Sequence, residues 1–438
     1  MARNLSILGA VRISLDYPLL GLYRIDFPSG DECRRMSETK PAADAEPARA
    51  LQPISDYRIP PMPTDVATRR MVRWFRLQFK KSEDAEPFVA ESELVQASRE
   101  TLEDVAPSPA CGPLLRDLDA HFATLIGGDD QGSRLRLMLL PPGDRSEVLS
   151  GWAKRHALEV LPCPPRERLL DEPRPPGLDV QQLWPEEASH PNSVLVIPKL
   201  ESWFLRHERG LFLVRQLLDR LEQSRRPLII GCSTWAWDFL CKATQAGLVL
   251  PSPLTFQAFG ADELYDWFRF LEEDAEVDVR VRLSSSGADL FADDAKKHHY
   301  FKGLAAESLG IPWVAWHRWR KSLRYKRPSD AKAESADQPG ASGSDGHTLW
   351  VTTPPPMNLP QGHFEQMSLV LQALLIHGRL TLDELRAVVP IVGELRVVSA
   401  LLQTGFIRYC DRHLYIVPTA YPETRRELIA AGFPHPAI

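Results

Sequence analysis

LRLMLLPPGDRSEVLSGWAKR, residues 135–155, decides the fold. Its first six residues are apolar except for Arg136, a run too short for a packed helix and right for a buried strand. Pro141, Pro142 and Gly143 then stop the run, because proline offers no amide to a ladder and glycine admits backbone angles other residues avoid. A helix from about Ser146 to Arg155 follows. Strand, tight turn and helix in about twenty residues make the opening unit of a parallel α/β sheet.

Downstream the unit repeats. Residues 158–161 and 193–197 read as a second and a third strand. Leu211, Val214, Leu218 and Leu221 recur at helical spacing, so the third strand is followed by an amphipathic helix ending near Gln223. LIIGC, residues 228–232, is a fourth strand, a helix begins near Trp235, and residues 255–259 form a weaker fifth strand before a helix over residues 261–271. Five strands with helical crossovers predict a three-layer αβα core over residues 111–275. Residues 276–327 are expected to be a helical lid, the clearest helix being LAAESLGIPWVAWHRWRKSL, residues 304–323.

Residues 1–60 show no sustained period and are expected to be disordered, and residues 61–110 to form a helical lead-in. Within the lead-in, residues 66–81 (VATRRMVRWFRLQFKK) interleave arginines with aromatics and would suit contact with an acidic partner or, peripherally, a membrane surface. Residues 328–347 are dense in Gly, Ser, Asp and Ala and read as a flexible linker. Beyond it, residues 364–377 form a helix, Thr381 opens a second with Glu384 as its capping-box partner, and residues 391–403 form a third, closed by Gly405. Residues 406–417 then alternate around a polar turn at Asp411 and Arg412, so residues 348–438 read as a winged helix.

Composition narrows the function. A formal charge of −6 argues against a surface that wraps nucleic acid or anionic lipid as a whole, while leaving room for local basic patches. Forty of the 52 basic residues are Arg, a bias expected of GC-rich bacterial coding. Six scattered cysteines show no CxxC pair or zinc spacing, so no metal site is expected and the thiols read as reduced. No apolar run approaches the ~20 residues that span a bilayer, and charges at Arg3, Arg12 and Asp16 interrupt the N-terminal apolar stretch; the expected location is the cytoplasm.

The turn after the first strand carries the functional question. An enzyme that grips nucleotide phosphates there needs a GxxxxGK[ST] turn, whose amides cradle the phosphates while Lys reaches the outer oxygens and Ser or Thr holds magnesium. In LPPGDRSE, residues 140–147, Gly143 survives, but Leu140 and Arg145 stand at the two outer glycines, Ser146 at the lysine and Glu147 at the hydroxyl; sliding by one puts Arg145 and Ser146 at the lysine and the hydroxyl. Either way an acidic side chain, Asp144 or Glu147, enters a place suited to anions. The third strand ends in Pro198 and Lys199 where magnesium-holding carboxylates would stand, the fourth in Ser233 and Thr234 where a polar residue would sense the attacking water, and Trp313 replaces a phosphate-sensing arginine.

In element order the chain resembles the AAA+ and STAND-type P-loop ATPases that carry a C-terminal winged helix, over about residues 110–325 and 360–417. The resemblance implies a P-loop-NTPase-like core and a vestigial phosphate loop of Gly143, Asp144, Arg145 and Ser146, with Glu201, Ser233 and Thr234 nearby. The missing ligands imply no catalytic residues and no cofactor, or ATP bound weakly without hydrolysis. The expected role is then a regulatory or scaffolding protein that works through contacts with a protein partner or further copies of itself. Two alternatives follow from the same residues. One is a divergent ATP-binding ATPase using Arg145 and Ser146, with Glu201 replacing the lost acidic pair. The other is a winged-helix DNA-binding regulator. Sequence-specific DNA recognition is not expected, since residues 391–403 offer only Arg396 and Gln403 alongside Glu394, and the hairpin adds Arg408, Arg412 and His413.

Overall fold

In the computed structural model the Leu135–Leu140 strand lies inside a six-stranded sheet. The structure describes residues 48–63, 89–97, 102, 106, 112–128, 133–144, 147–171, 178–185, 193–273, 279–291, 295–326, 348–353, 357–360, 362–390 and 395–438. The strands are β1 (Gln52–Pro53), β2 (Leu94–Gln96), β3 (Leu135–Leu140), β4 (Glu159–Val160), β5 (Leu195–Ile197), β6 (Leu228–Ser233), β7 (Leu254–Thr255), β8 (Arg280–Leu283), β9 (Leu323–Lys326), β10 (Thr348–Val351), β11 (Ile407–Cys410) and β12 (His413–Ile416). The helices are α1 (Gly112–Gly127), α2 (Val148–Arg155), α3 (Val180–Leu183), α4 (Phe212–Gln223), α5 (Thr234–Ala243), α6 (Ala246–Val249), α7 (Ala261–Glu273), α8 (Ala295–Glu307), α9 (Pro312–Ser322), α10 (Phe364–His377), α11 (Leu382–Val388), α12 (Leu395–Gln403) and α13 (Tyr421–Ala430).

The fold is mixed α/β with a parallel-strand sheet. The main sheet runs β1-β7-β3-β6-β5-β4, with β7, β3, β6, β5 and β4 parallel and β1 antiparallel at the edge. From β3 the chain crosses to β4 at the far edge, returns through β5 and β6, and passes β3 to place β7 on its other side. The strand order therefore reverses beside β3, and the carboxyl ends of β3, β5 and β6 meet there, the place where open α/β sheets bind ligands. All six residues of β6 and all three of β5 are buried, which explains why both read as continuous apolar runs rather than alternating ones. α4 buries Leu213, Val214, Leu217, Leu218 and Leu221, a single stripe.

A second sheet, β2-β9-β10-β8, joins residues far apart in sequence. β10 pairs in parallel with β8 and antiparallel with β9, and β2 pairs antiparallel with β9. At the C-terminal end come α10, α11 and α12, the β11–β12 hairpin and α13. Asp411 and Arg412 both have positive φ, +49° and +66°, as a two-residue turn matched to strand twist requires. Thr381 and Glu384 form the expected capping box. Among the described residues no helix is long and apolar enough to cross a membrane.

Four expectations need correction. Disorder does not extend to residue 60: β1 pairs with β7, and Leu51 and Tyr57 are buried. Arg49 holds this segment down by an ion pair to Asp117 at 3.2 Å and by stacking on Phe259 at 4.1 Å, and the Tyr57 hydroxyl donates to the Leu309 carbonyl at 2.9 Å. The lead-in is not helical at β2, which completes a sheet. The lid over 276–327 opens and closes in strands, β8 and β9, and its main helix is two, α8 and α9, because Leu309 and Gly310 between them take positive φ. Residues 348–351 form β10 of the second sheet, so the C-terminal helices and hairpin begin later than residue 348. Residues 1–47, the segment 66–81 and residues 328–347 lie outside the described residues.

Gly231 lies where β6 is crossed most closely. A Cβ there would stand 2.2 Å from the Pro198 carbonyl oxygen and 2.7 Å from a Leu149 methyl. Because one neighbour is backbone at the end of β5, the crowding cannot be relieved by a rotamer change. Gly231→Ala is expected to destabilise the protein by about 1–3 kcal/mol, read as a lower urea midpoint; an unchanged midpoint would show that β5 and α2 yield freely.

Candidate functional site

The turn from β3 into α2 is built around Gly143, whose φ of +92° only glycine adopts without strain. The next residue, Asp144, turns its carboxylate back, and Oδ2 accepts the amide hydrogen of Val148 at 2.8 Å, the first residue of α2. A helix begins with unsatisfied amides and a partial positive charge, which favour an anion. Here the chain supplies that anion.

A second carboxylate lies beside it. Glu147 accepts a hydrogen bond from Lys199 Nζ at 2.6 Å, tying the entry of α2 to the end of β5. Burial pushes the Glu147 carboxyl up, but the Lys199 charge and hydrogen bond outweigh it, and Glu147 stays below its ordinary pKa. The only lysine at the carboxyl end of β5 is therefore already neutralised. Two residues on, Glu201 accepts the Ser233 amide hydrogen at 3.0 Å, which ties β5 to the end of β6. Burial raises the Glu201 pKa above its ordinary 4.5 despite that hydrogen bond.

The C-terminal elements close over these groups. A Cβ on Gly143 would lie 3.6 Å from Pro418, and the Ser233 hydroxyl donates to the Leu375 carbonyl of α10 at 3.5 Å. Trp313 of α9 donates to the Pro142 carbonyl at 3.2 Å, and Trp235 of α5 to the Tyr421 hydroxyl at 3.1 Å. Arg166 reaches from the core to the carbonyls of His377, at 3.1 Å, and Arg379, with Glu384 3.7 Å away as its buried counter-charge. His377 accepts the Arg206 amide hydrogen through Nε2 at 3.3 Å. Burial, with Arg166 and Arg206 nearby, holds its imidazole well below the usual pKa of 6.5, so it is neutral.

What remains between core and C-terminal elements is a cavity of about 170 Å³, bordered by Gly143, Asp144, Lys199, Glu201, Ser233 and Arg379. Two groups at its rim that could meet an anion are already engaged: the first amide of α2 by Asp144, and Lys199 by Glu147. Of the residues singled out in the sequence, Gly143, Asp144, Glu201 and Ser233 come together at this cavity. Thr234 is buried in the first turn of α5 and does not border it. Arg145 and Ser146 lie outside the described residues. Arg166, His377, Arg379 and Glu384 were not legible as site residues, since no local motif pairs Arg166 with carbonyls more than 200 positions away.

Two outcomes follow. Arg166→Met removes the charge that faces buried Glu384 and the two carbonyls, at an expected cost of about 3–5 kcal/mol. Faster amide exchange should appear first in α10 and α11, and uniform exchange would show that Arg166 does not hold them. Glu201 binds its proton more tightly folded than unfolded, so it favours folding below the ordinary carboxyl pKa and loses that contribution as pH rises through the raised value. Glu201→Gln, which keeps an acceptor for Ser233, should equal the parent in stability at about pH 4 and exceed it at about pH 8; a gap of equal size at both would exclude the carboxyl's ionisation as its source.

No protein-family model matches the chain, and no curated protein matches it. Solved structures give distant likenesses. Cdc6p from Pyrobaculum aerophilum is similar at 12% identity and a TM-score of 0.30, covering 78% of this chain and 100% of that one. A RuvB variant from Thermotoga maritima stands at 13% and 0.27, covering 80% and 99%. The ORC2 protein of Aeropyrum pernix stands at 11% and 0.28, covering 80% and 97%. Likenesses of this size carry no conclusion about what this chain does.

Proposed function

We propose that this chain is a catalytically degenerate ATPase-like protein of the P-loop type, with a regulatory or scaffolding role exercised through contacts with a protein partner or further copies of itself. The observation that carries the reading is the internal satisfaction of the phosphate-binding position: Asp144 holds the first amide of α2 and Glu147 holds Lys199. A phosphate entering there would meet two carboxylates and have to displace both. The strand order supports the P-loop-type core, since the turn in question follows the strand beside which the order reverses. In this reading α8 and α9 serve as the lid, and α10, α11, α12 and the β11–β12 hairpin as a winged helix that packs on the core rather than reading DNA. Seating that module over the carboxyl ends of the strands turns a catalytic cleft into a structural joint.

The test is nucleotide titration of the full chain with magnesium present. No hydrolysis above background is expected, because no free lysine or magnesium-holding carboxylate occupies its place among the described residues; weak binding without turnover agrees with the reading. Magnesium-dependent turnover abolished by Arg145→Ala would overturn it in favour of the divergent ATPase.

A further inference from the structure

α10 ends at His377, whose ring is buried against Phe204 with the two centroids 5.1 Å apart. Two arginines of the core meet it there. Nε2 accepts the Arg206 amide hydrogen, and the Arg206 guanidinium donates to Gln372 Oε1, earlier on α10, at 2.9 Å. Arg166 donates to the His377 carbonyl. The carboxyl end of a helix ordinarily favours a protonated histidine, because its last carbonyls carry partial negative charge. Here Arg166 already holds the carbonyls of His377 and Arg379.

A neutral imidazole that accepts through one nitrogen carries its proton on the other. Nδ1 is therefore the protonated nitrogen, and it is shielded from solvent with no acceptor. A second proton would go to Nε2. There it would oppose the Arg206 amide hydrogen and set a third positive charge beside two others. The neighbouring acids do not offset that charge, since each has a partner of its own or is held towards its protonated form. From the core come Glu201, whose carboxyl is pushed up by burial, and Cys163, whose thiol is pushed up to about 12 by burial. From the C-terminal elements come Arg379, a further cation, and Glu384, which faces Arg166 at 3.7 Å. On α5, packed against α10, Asp238 and Lys242 pair with each other at 2.8 Å, and on α13 Glu423 pairs with Arg426. The hairpin brings Asp411, which accepts from the Cys410 thiol at 3.3 Å, and His413; α12 brings Arg396, which is exposed.

We propose that His377 couples docking of the C-terminal elements to pH: the seam closes on a neutral ring, and opening it takes up one proton. Opening carries the ring with α10 away from Arg166 and Arg206 and into water. A histidine in water gains its proton as pH falls through about 6.5, whereas the docked ring, held well below that value, stays neutral. Docking therefore has the full contribution of the neutral ring above about pH 6.5 and loses it as pH falls, the opening equilibrium rising about tenfold per pH unit. Glu201 acts in the opposite sense, because a carboxyl protonated more readily in the closed seam releases its proton on opening. Its ionisation has to be removed before the slope due to His377 is read alone. The proposal goes beyond the reading given above and does not depend on it.

The experiment is hydrogen exchange of the full chain carrying Glu201→Gln, between about pH 5 and 7.5, with each amide's rate divided by its intrinsic rate at that pH. Protection of α10 and α11 should fall about tenfold per unit below about pH 6.5, while α4 in the core keeps its protection. His377→Gln in the same background keeps an acceptor for Arg206 and has no titrating ring, so its protection should not change with pH. His413→Gln, which replaces the other histidine bordering the cavity, should keep the slope. Imidazole nitrogen shifts of the unsubstituted chain give a reading that needs no variant: at about pH 6 His377 should be neutral with its proton on Nδ1. Flat protection in Glu201→Gln, a slope that survives His377→Gln or vanishes in His413→Gln, a parallel loss in α4, or a His377 ring that titrates at about 6.5 would overturn the proposal.

Discussion

Parallel strands that end at one place leave a ring of backbone groups and a helix start that need partners, and the architecture turns on how this chain supplies them. Asp144 takes the first amide of α2, Glu147 and Lys199 neutralise each other across the gap to β5, and Glu201 takes the amide that ends β6. Each bond links two elements, so the group that closes the site also fixes the spacing of the strands beneath it. Gly231, too close to β5 and α2 to bear a side chain, belongs to the same arrangement.

Once the ring is satisfied from within, the C-terminal elements can sit directly on it. The seam is polar where it must be: Arg166, Ser233 and Trp235 each send a donor to an oxygen across a sequence gap of more than a hundred residues. Buried donors left alone cost about 1–3 kcal/mol apiece, so undocking would expose several such groups together and should be cooperative. The neutral imidazole of His377 suits this setting, since protonation there would place a third cation beside Arg166 and Arg206.

Much of the core was legible because its signals are local. Continuous apolar runs mark β3, β5 and β6, an i, i+3, i+7 stripe marks α4, and Thr381 with Glu384 announces α11 before any tertiary contact is considered. The second sheet was not legible. RVRL and LRYK are four-residue strands with charged residues on alternate positions, and nothing within either names a partner far along the chain. Residues 48–60 misled for a related reason: their order depends on Asp117, Phe259 and Leu309, far outside any local window. At the site, Gly143 and Glu201 followed from position in the fold, whereas the closure by Arg166 and Pro418 arises only when the C-terminal elements are in place.

The edge strands of the main sheet have a consequence for how the molecule meets others. β1 is two residues long, one of them Pro53, which lacks an amide hydrogen, and β4 at the opposite edge is equally short. Glu159 of β4 is tied to buried Arg226 at 2.7 Å. Neither edge gives an approaching strand a ladder to extend, which is how natural sheets avoid joining edge to edge. Association through this sheet is thereby discouraged, and the surfaces left for recognition are helices and turns.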